Sequence, residues 1–446
     1  MKSGSMVDNA SIRERQWHNF LAFQGLTREE FEAYVAKAFS RPWGELKASQ
    51  KRGRLLSEQF LCCYGRHPYR KEERRLVAWR SLFMPTEIIY AMGFVPFTLE
   101  MFAAQVSMMG RAVKCLEAAE ENGFAPDLCS FVKAAAGAML LDILPQPDVI
   151  LTSTHLCDPA AKLGEYASAR YRCPEFVLDV PYGAWSWKQE EGGVARLEEA
   201  VDYVAGQLVK MAAFMTEVTG AELEMSELRR AVAYANEAAG WLSRGNNLAY
   251  YHHKPLLRGS KDMDHAANLV QTWGTPELAD IYRTRYEELR SAAESAPEDV
   301  ARPRIVWAHL RPYYPNVLLD YIEERADIVG SIVNYSYWEN LDAGNPFRAM
   351  AYKALLNPAF SPLASRVELY ARVIRPGDGI VAFYPKSCRH FHCSGRMEAE
   401  SFRSRGIPML VIDGDCVDDR GDDFLVVKTR IDRFLKELAS GKQERT

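Results

Sequence analysis

Short runs of β-branched and other apolar residues, each followed by a helix-like stretch, recur along most of this 446-residue chain. Such runs are typical of parallel strands that are buried on both faces, and strand–helix–strand units place a parallel sheet between layers of helices. The runs are PDVILTST (147–154), PEFVLDVP, RIVWAHL, DIVGSIVNYS, GDGIVAFYP and PMLVIDG. The alternation predicts an α/β fold with two Rossmann-like or flavodoxin-like parallel-sheet domains.

Four regions follow from this pattern and from the stretches between the runs. Residues 1–83 are charged and helix-prone, as in RKEERRLVAWRSLF, and predict a helical N-terminal segment. Residues 84–194 predict the first α/β domain, in which MPTEIIYAMGFVPFTLEM reads as a helix followed by a strand. Residues 195–300 carry apolar residues at helical spacing and predict a helical connector. Residues 301–446 predict the second α/β domain.

An internal repeat supports two similar units. The segment from Cys157 to Asp179 and the segment from Cys388 to Asp413 both read as a cysteine after a strand, a helix, a proline, a second strand and an aspartate. The two intervals differ by three residues, as one short insertion would produce. General similarity between any two α/β units is the alternative explanation, but a cysteine at the same structural point favours a true repeat.

Composition excludes several classes of protein. The chain has 55 Lys and Arg against 59 Asp and Glu, a net charge of −4, whereas nucleic-acid binders usually have a basic excess. Hydrophobic residues make up 48% of the chain, enough for a large core, yet no apolar run reaches the roughly 18 to 20 residues that cross a bilayer. The N-terminal sequence lacks the apolar segment of a secretory signal. We therefore expect a soluble, cytoplasmic protein that binds neither nucleic acid nor membrane.

The chain has an odd number of cysteines, which makes a disulfide framework a poor explanation. The nine are Cys62, Cys63, Cys115, Cys129, Cys157, Cys173, Cys388, Cys393 and Cys416. Cys157 and Cys388 each follow a predicted strand, and Cys129 lies at the predicted start of a helix, where the helix dipole favours a thiolate. Three converging thiolates suit an iron–sulfur cluster or zinc. Composition and spacing leave two interpretations open, a three-cysteine cluster site or small buried hydrophobic side chains.

Several segments together resemble the 2-hydroxyacyl-CoA dehydratase / benzoyl-CoA reductase family. They are the segment around Cys129, TSTHLCD, DVPYG, YYHHKPLLRG and GDGIVAFYPKSC…GIPMLVIDGDCVDDR. PTEIIYAMGFVPFTLE resembles the family's N-terminal Pro-x-Glu…Ala-x-Gly…Pro signature. Each motif is weak alone, but the matches run from about residue 84 to residue 425 in the family's order.

The resemblance implies a [4Fe-4S] cluster bound by Cys129, Cys157 and Cys388, with the fourth iron open to water or to a thioester carbonyl oxygen. It implies an oxygen-sensitive enzyme in which a separate ATP-dependent iron–sulfur activator donates an electron to the thioester of an (R)-2-hydroxyacyl-CoA. The resulting ketyl radical loses its hydroxyl group or, in the benzoyl-CoA reductase branch, an aromatic ring is reduced. A homologous second subunit completes a hetero- or homodimer. No G-x-x-x-x-G-K-[ST] motif occurs in the chain, so any ATP step belongs to a partner.

Three further residues are candidates on weaker grounds. Ser130 and His155 flank two ligand cysteines and are candidates for hydrogen bonds to cluster sulfurs or substrate, with loop packing as the alternative for His155. Glu87 lies in the Pro-x-Glu signature and is a candidate contact for the acyl group, with a helix-surface carboxylate as the alternative.

The loop SCRHFHCSG departs from the three-ligand pattern, because Cys393 follows Cys388 by five residues and His390 and His392 lie between them. Three interpretations of Cys393 are open: it binds no cluster, it is a fourth ligand of the same cluster, or it is a ligand of a larger cluster. The family includes double-cubane [8Fe-9S] proteins with about six thiolates per chain, so a homodimeric reductase of small molecules is a second hypothesis. A degenerate subunit that serves as a scaffold is a third.

Overall fold

The structure is a computed structural model, and it describes residues 9–66, 75–155, 157–183, 193–252, 255–263, 270–295, 302–335, 338, 340–421 and 423–443. The helices in this part of the chain are α1 Asn9–Gln24, α2 Arg28–Phe39, α3 Ala48–Cys63, α4 Thr86–Ala91, α5 Leu99–Met108, α6 Ala112–Glu121, α7 Ser130–Leu140, α8 Asp158–Tyr171, α9 Gly193–Thr219, α10 Met225–Tyr251, α11 Gly259–Asp262, α12 Pro276–Ser295, α13 Leu318–Glu323, α14 Pro346–Leu355, α15 Leu363–Val373, α16 Arg389–His392, α17 Gly395–Arg403 and α18 Phe424–Gln443. Short 3₁₀ turns occur at Trp43–Glu45, Ile332–Asn334 and Pro358–Phe360.

The strands form two four-stranded parallel sheets. They are β1 Val77–Arg80, β2 Val95–Thr98, β3 Val149–Ser153, β4 Glu175–Leu178, β5 Arg304–His309, β6 Asp327–Ser331, β7 Gly379–Pro385 and β8 Met409–Gly414. The first sheet has the order β2-β1-β3-β4 and the second has the order β6-β5-β7-β8. The predicted α/β fold with two parallel sheets is confirmed, and every apolar run that predicted a strand contains one.

One local prediction is wrong. The charged run before residue 83 predicted a helix across VAWR, but Val77–Arg80 is strand β1, which pairs with both β2 and β3 and is buried along its whole length. Pairing with two neighbouring strands outweighs the local preference of the charged residues that precede it. The first sheet therefore begins before residue 84. The division of the chain into four regions remains a prediction.

The two sheets repeat each other in more than strand order. Trp79 of β1 and Trp307 of β5 are both fully buried, in the matching tripeptides VAW and IVW. Each indole N–H donates a hydrogen bond to a backbone carbonyl, that of Pro145 for Trp79 and that of Leu310 for Trp307. The repeat between the Cys157 and Cys388 segments is thus part of a larger repeat of four strands.

Alternate residues of the strands enter different hydrophobic cores, as the two-residue period of a strand requires. Trp79 and Trp307 belong to one continuous core, which therefore connects the two sheets. Ala78 belongs to a second core, which includes the long helices α9, α10 and α12, and Val306 belongs to a third, on the other face of the second sheet. Each sheet is thereby covered on both faces.

Polar contacts also join the two halves close to the predicted ligands. The backbone N–H of Ser130 donates to Ser387 Oγ at 3.2 Å. Farther out, Arg420 forms a bidentate pair with Glu120, with nitrogen–oxygen distances of 2.8 and 3.0 Å. No helix among the described residues has the length and apolar character needed to span a membrane.

Candidate active site

A cavity of about 270 Å³ lies where the carboxyl ends of strands from both sheets meet. Its wall includes Ser81 after β1, His155 after β3, His309 at the end of β5, Ser331 at the end of β6 and Cys388 after β7. Open α/β sheets usually bind ligands beyond the carboxyl ends of their strands. The position of the cavity therefore marks it as the candidate active site.

The three predicted ligands, Cys129, Cys157 and Cys388, all line this cavity. Each occupies the position just before a helix, namely α7, α8 and α16 respectively. Backbone N–H groups of the first helical turn lower the pKa of each thiol, which favours the thiolate. The structure therefore brings the three thiols to one cavity, although they come from distant parts of the chain.

Burial works against these thiolates when no cation is nearby. It raises the pKa of Cys129 to about 12, and it also raises the pKa values of Cys157 and Cys388, while repulsion from neighbouring negative groups, other cysteines among them, adds to each shift. A bound metal removes the proton and compensates the charge. The three thiols are therefore suited to a cationic group at their centre.

The arrangement fits a cluster better than a single ion. Among the described residues, no group of three or more His, Cys, Asp or Glu side chains lies close enough together to hold one metal ion. A single zinc ion draws its sulfur ligands to about 2.3 Å from one point, whereas a cluster offers each thiolate its own iron. Cys129, Cys157 and Cys388 are the residues that could hold such a group.

The remaining cysteines do not line this cavity. Cys393 is exposed at the end of α16. The other five are buried in the hydrophobic core, and they are Cys62, Cys63, Cys115, Cys173 and Cys416. The structure thus brings Cys393 to the surface next to the site rather than into it.

Of the other predicted residues, His155 lines the cavity and Ser130 does not. Burial lowers the pKa of His155 to about 3, and its ring donates to the carbonyl of Ala354, so the imidazole is neutral. Ser130 is buried behind Cys129, and its Oγ has no hydrogen-bond partner among the described residues. Its backbone N–H is the group that contacts Ser387.

Glu87 is fully buried and does not line the cavity. Its Oε1 lies 2.6 Å from the Nζ of Lys353, which does line the cavity. The Lys353 ammonium also lies over the rings of Trp273 and Trp338, at 4.9 and 4.6 Å from their centroids. Glu87 therefore acts on the cavity through Lys353, and burial lowers the pKa of Lys353 although the ion pair opposes the change.

Glu100 contributes a carboxyl group to the wall. It stands at the start of α5, where its Oε1 accepts the backbone N–H of Leu82 at 3.2 Å, and its Oε2 has no partner within the described part of the chain. Burial raises the pKa of Glu100, although Arg80 nearby lowers it. A carboxyl group in this environment is held toward its protonated form and can donate a hydrogen bond.

His309 is a further titratable residue of the cavity that the sequence interpretation missed. Its Nε2 lies 3.0 Å from Glu398 Oε1 and 3.1 Å from the Tyr384 hydroxyl, and Glu398 Oε2 lies 3.0 Å from Arg366. Burial raises the pKa of Glu398, but its contacts with the other three residues outweigh burial and bring that pKa below its usual range. An ionised carboxylate therefore stands behind the imidazole.

Two of the three missed residues had a usable signal. His309 is the last residue of strand β5 in the run RIVWAHL, and Glu100 follows the strand VPFT, so the rule that found Cys157 applies to both. Lys353 lies within α14, where nothing in the local sequence distinguishes it from a surface lysine.

Comparison with known proteins decides the family. The sequence profile described as "2-hydroxyglutaryl-CoA dehydratase, D-component" matches residues 81–438, which include all three cavity cysteines. The chain belongs to this family. The resemblance to 2-hydroxyacyl-CoA dehydratases and benzoyl-CoA reductases is thereby confirmed.

Individual relatives agree with the family profile. The chain is 25% identical over 394 residues to the (R)-phenyllactyl-CoA dehydratase alpha subunit of Clostridium sporogenes, a match that covers 84% of this chain and 92% of the relative. It is 22% identical to the alpha subunit of lactoyl-CoA dehydratase from Anaerotignum propionicum, over 82% of this chain and 92% of the relative. It is 24% identical to a benzoyl-CoA reductase subunit from Thauera aromatica, over 80% and 88%. All three relatives are named as subunits of enzymes.

Proposed function

We propose that this family member is the cluster-bearing subunit of a dehydratase that removes water from an (R)-2-hydroxyacyl-CoA. The observation that carries the proposal is the placement of Cys129, Cys157 and Cys388 at three helix N-termini around one cavity. A [4Fe-4S] cluster on these thiolates would supply one low-potential electron to the substrate thioester.

The chain's own residues bind and orient the substrate. The cavity wall is mostly apolar and aromatic, with Trp273, Trp307 and Trp338 among its members, so it excludes water from the reacting thioester. The Lys353 ammonium is a fixed donor for the thioester carbonyl oxygen, because Glu87 and two indole rings hold it in place.

Three partners complete the proposal. The relatives are named as subunits, so a homologous second subunit would join this chain in a hetero- or homodimer. An ATP-dependent iron–sulfur activator would deliver the electron, since this chain has no phosphate-binding motif of the G-x-x-x-x-G-K-[ST] kind. An acyl-CoA is the substrate, and the cytoplasm, which contains ATP and CoA esters, is the expected location.

Iron and sulfide quantification after anaerobic purification tests the cluster. We expect a brown protein with about four irons per chain, and we expect Cys157→Ser to lose the iron while it keeps its fold by circular dichroism. Cys173→Ser is the matched control, because Cys173 is buried and does not line the cavity. A colourless wild-type protein after anaerobic reconstitution would contradict the proposal.

The same measurement separates the double-cubane alternative, which Cys393 motivated. About eight irons per chain, lost on Cys393→Ser, would favour an [8Fe-9S] cluster and a reductase of small molecules. The exposure of Cys393 and its position outside the cavity favour four irons.

A benzoyl-CoA reductase-type subunit is the second candidate function, and the similarity to the Thauera aromatica reductase supports it. Incubation of the activated complex with either (R)-2-hydroxy-3-phenylpropanoyl-CoA or benzoyl-CoA distinguishes the two functions. An enoyl-CoA product from the first substrate supports dehydration, while ring reduction of the second with no enoyl-CoA supports the reductase.

A further inference from the structure

His309 has an unusual backbone at a functional position. It is the last residue of β5, it is 2% exposed, and it lines the cavity that holds the three cysteines. Its φ angle is +65°, in the left-handed region that residues with a Cβ adopt rarely. Such strain persists only where surrounding contacts fix it, and it concentrates at functional sites.

The contacts that fix His309 form a buried ionic network. The side chains of His309, Glu398 and Arg366 are 1%, 0% and 3% exposed, so water does not screen the charges between them. Arg366 also donates to Ser394 Oγ at 2.6 Å, which holds the guanidinium in place. The positive charge of Arg366 compensates the negative charge of Glu398, so this pair can stay ionised in the interior.

The network determines which ring nitrogen is available. Nε2 faces Glu398 Oε1 and the Tyr384 hydroxyl, both of which accept, so Nε2 carries the proton in the neutral ring. Among the described residues, Nδ1 forms no hydrogen bond. The nitrogen with the free lone pair is thus the one left for a ligand in the cavity, as in other carboxylate–imidazole pairs where the carboxylate orients the base.

The other titratable side chains of the cavity are less suited to accept a proton. The ring of His155 donates to the backbone carbonyl of Ala354, and the Glu100 carboxyl group is held toward its protonated form. Lys353 is paired with Glu87 at 2.6 Å.

His390, which also lines the cavity, has its Nε2 at 2.5 Å from the carbonyl oxygen of Ala359. Nε2 of His390 therefore faces a neutral backbone carbonyl, whereas Nε2 of His309 faces the carboxylate of Glu398. Only the second arrangement stabilises the imidazolium that forms when the ring accepts a proton.

We propose that His309 is the residue that transfers protons during dehydration, an assignment that rests on the proposed function above. Once the activator's electron has entered the thioester, the C2–O bond breaks and its electron pair leaves with hydroxide, so that an unpaired electron remains on the carbon next to the thioester. His309 Nδ1 then takes the proton from C3, which this radical makes acidic, and passes it to the hydroxide, which gives the enoyl-CoA with the extra electron, one water and a neutral imidazole. The activator's electron is recovered when the product forms, so the step is redox-neutral.

The test uses the complete enzyme, that is, this chain with its second subunit and the activator. His309→Asn is the main variant, because asparagine tolerates a left-handed φ angle but cannot accept a proton, and His309→Gln is a second variant of greater length. His18→Asn is the matched control, since it makes the same substitution at an exposed imidazole of α1 that does not line the cavity.

We expect His309→Asn to lower kcat for (R)-2-hydroxy-3-phenylpropanoyl-CoA by about 100-fold or more, with iron content unchanged and thioester binding within about threefold of wild type. His18→Asn is expected to keep kcat within about threefold of wild type. NMR provides a measurement that does not depend on catalysis. In the protein without activator, the ¹⁵N resonance of the His309 ring should shift when the acyl-CoA binds, and this resonance should be absent in His309→Asn.

Two results would overturn the assignment. One is a kcat within about threefold of wild type in both His309 variants, and the other is a parallel loss of iron or thioester binding, which would make His309 structural. Failure of the proposed function gives a different pattern, because the wild-type enzyme itself would then neither bind the thioester nor form enoyl-CoA.

Discussion

At the scale of single residues, the cavity depends on buried charges that compensate one another in pairs. Lys353 with Glu87, and Arg366 with Glu398, each place a cation next to a carboxylate that is fully buried. Removal of one partner leaves the other charge in the interior, which costs more than the pair itself contributes. Each pair is therefore best studied through single and double substitutions.

Lys353→Met should destabilise the protein strongly, since Glu87 is 0% exposed and would lose the ammonium that lies 2.6 Å from its Oε1. We expect the free energy of unfolding to fall by about 3 to 5 kcal/mol, measured by denaturant titration. The double variant Lys353→Met with Glu87→Leu should recover most of the loss. Equal free energies of unfolding for the single and the double variant would show that burial of Glu87 does not require Lys353.

Glu100 should make stability depend on pH. Burial raises its pKa in the folded state, so its favourable contribution is complete below the unfolded pKa of about 4.3 and is lost as pH rises through the folded value. Glu100→Gln cannot ionise and does not lose this contribution. The difference between its melting temperature and that of wild type should therefore move in favour of the variant as pH increases from 5 to 8. A difference that stays constant with pH would mean that Glu100 does not titrate in this range.

At the scale of elements, the ligand cysteines depend on how closely their helices pack. Gly137 of α7 faces α6, and a Cβ at this position would lie 1.7 Å from the backbone oxygen of Cys115. No side chain fits there without separation of the two helices. Since Cys129 precedes α7, a shift of this helix would also displace a ligand.

Gly137→Ala should therefore lower the free energy of unfolding by about 1 to 3 kcal/mol and reduce iron binding in the same protein. Gly206→Ala in α9 is the control, because a Cβ there meets nothing within 4 Å and alanine favours a helix by about 1 kcal/mol over glycine. The control should be more stable than wild type by denaturant titration. A fully stable Gly137→Ala protein would contradict the close packing.

The elements also determine what could be predicted from the sequence. Strands such as Val149–Ser153 and Gly379–Pro385 carry enough local apolar signal to be located, and their carboxyl ends located Cys157 and Cys388. Strand Val77–Arg80 was missed because it has four residues, follows a charged run and is stabilised by its two neighbours. The pairing of Glu87 with Lys353 joins residues 266 positions apart, and no local pattern reports such a contact.

At the scale of the whole molecule, the candidate ligands come from both halves of the repeat. Cys129 and Cys157 belong to the half with the first sheet, and Cys388 follows β7 of the second sheet. A cluster bound by all three would tie the halves together in addition to the contacts between Ser130 and Ser387. A ligand that binds only the folded state raises stability in proportion to the logarithm of its affinity.

Anaerobic reconstitution with iron and sulfide should therefore raise the melting temperature in differential scanning calorimetry. Cys388→Ser should lose this gain even though it leaves both thiols of the first half in place. If the reconstituted and the cluster-free wild-type proteins melt at the same temperature, the halves are not joined through a cluster.

The repeat of four strands has a consequence for the symmetry of the site. Two equivalent units supply equivalent groups in pairs, as Cys157 and Cys388 illustrate. Cys129 precedes a helix of the first half and makes the number of thiols odd. The cavity therefore lacks the equivalence of the two halves, so two substrate orientations that an exact repeat would make equal in energy differ in their surroundings, and one of them is favoured.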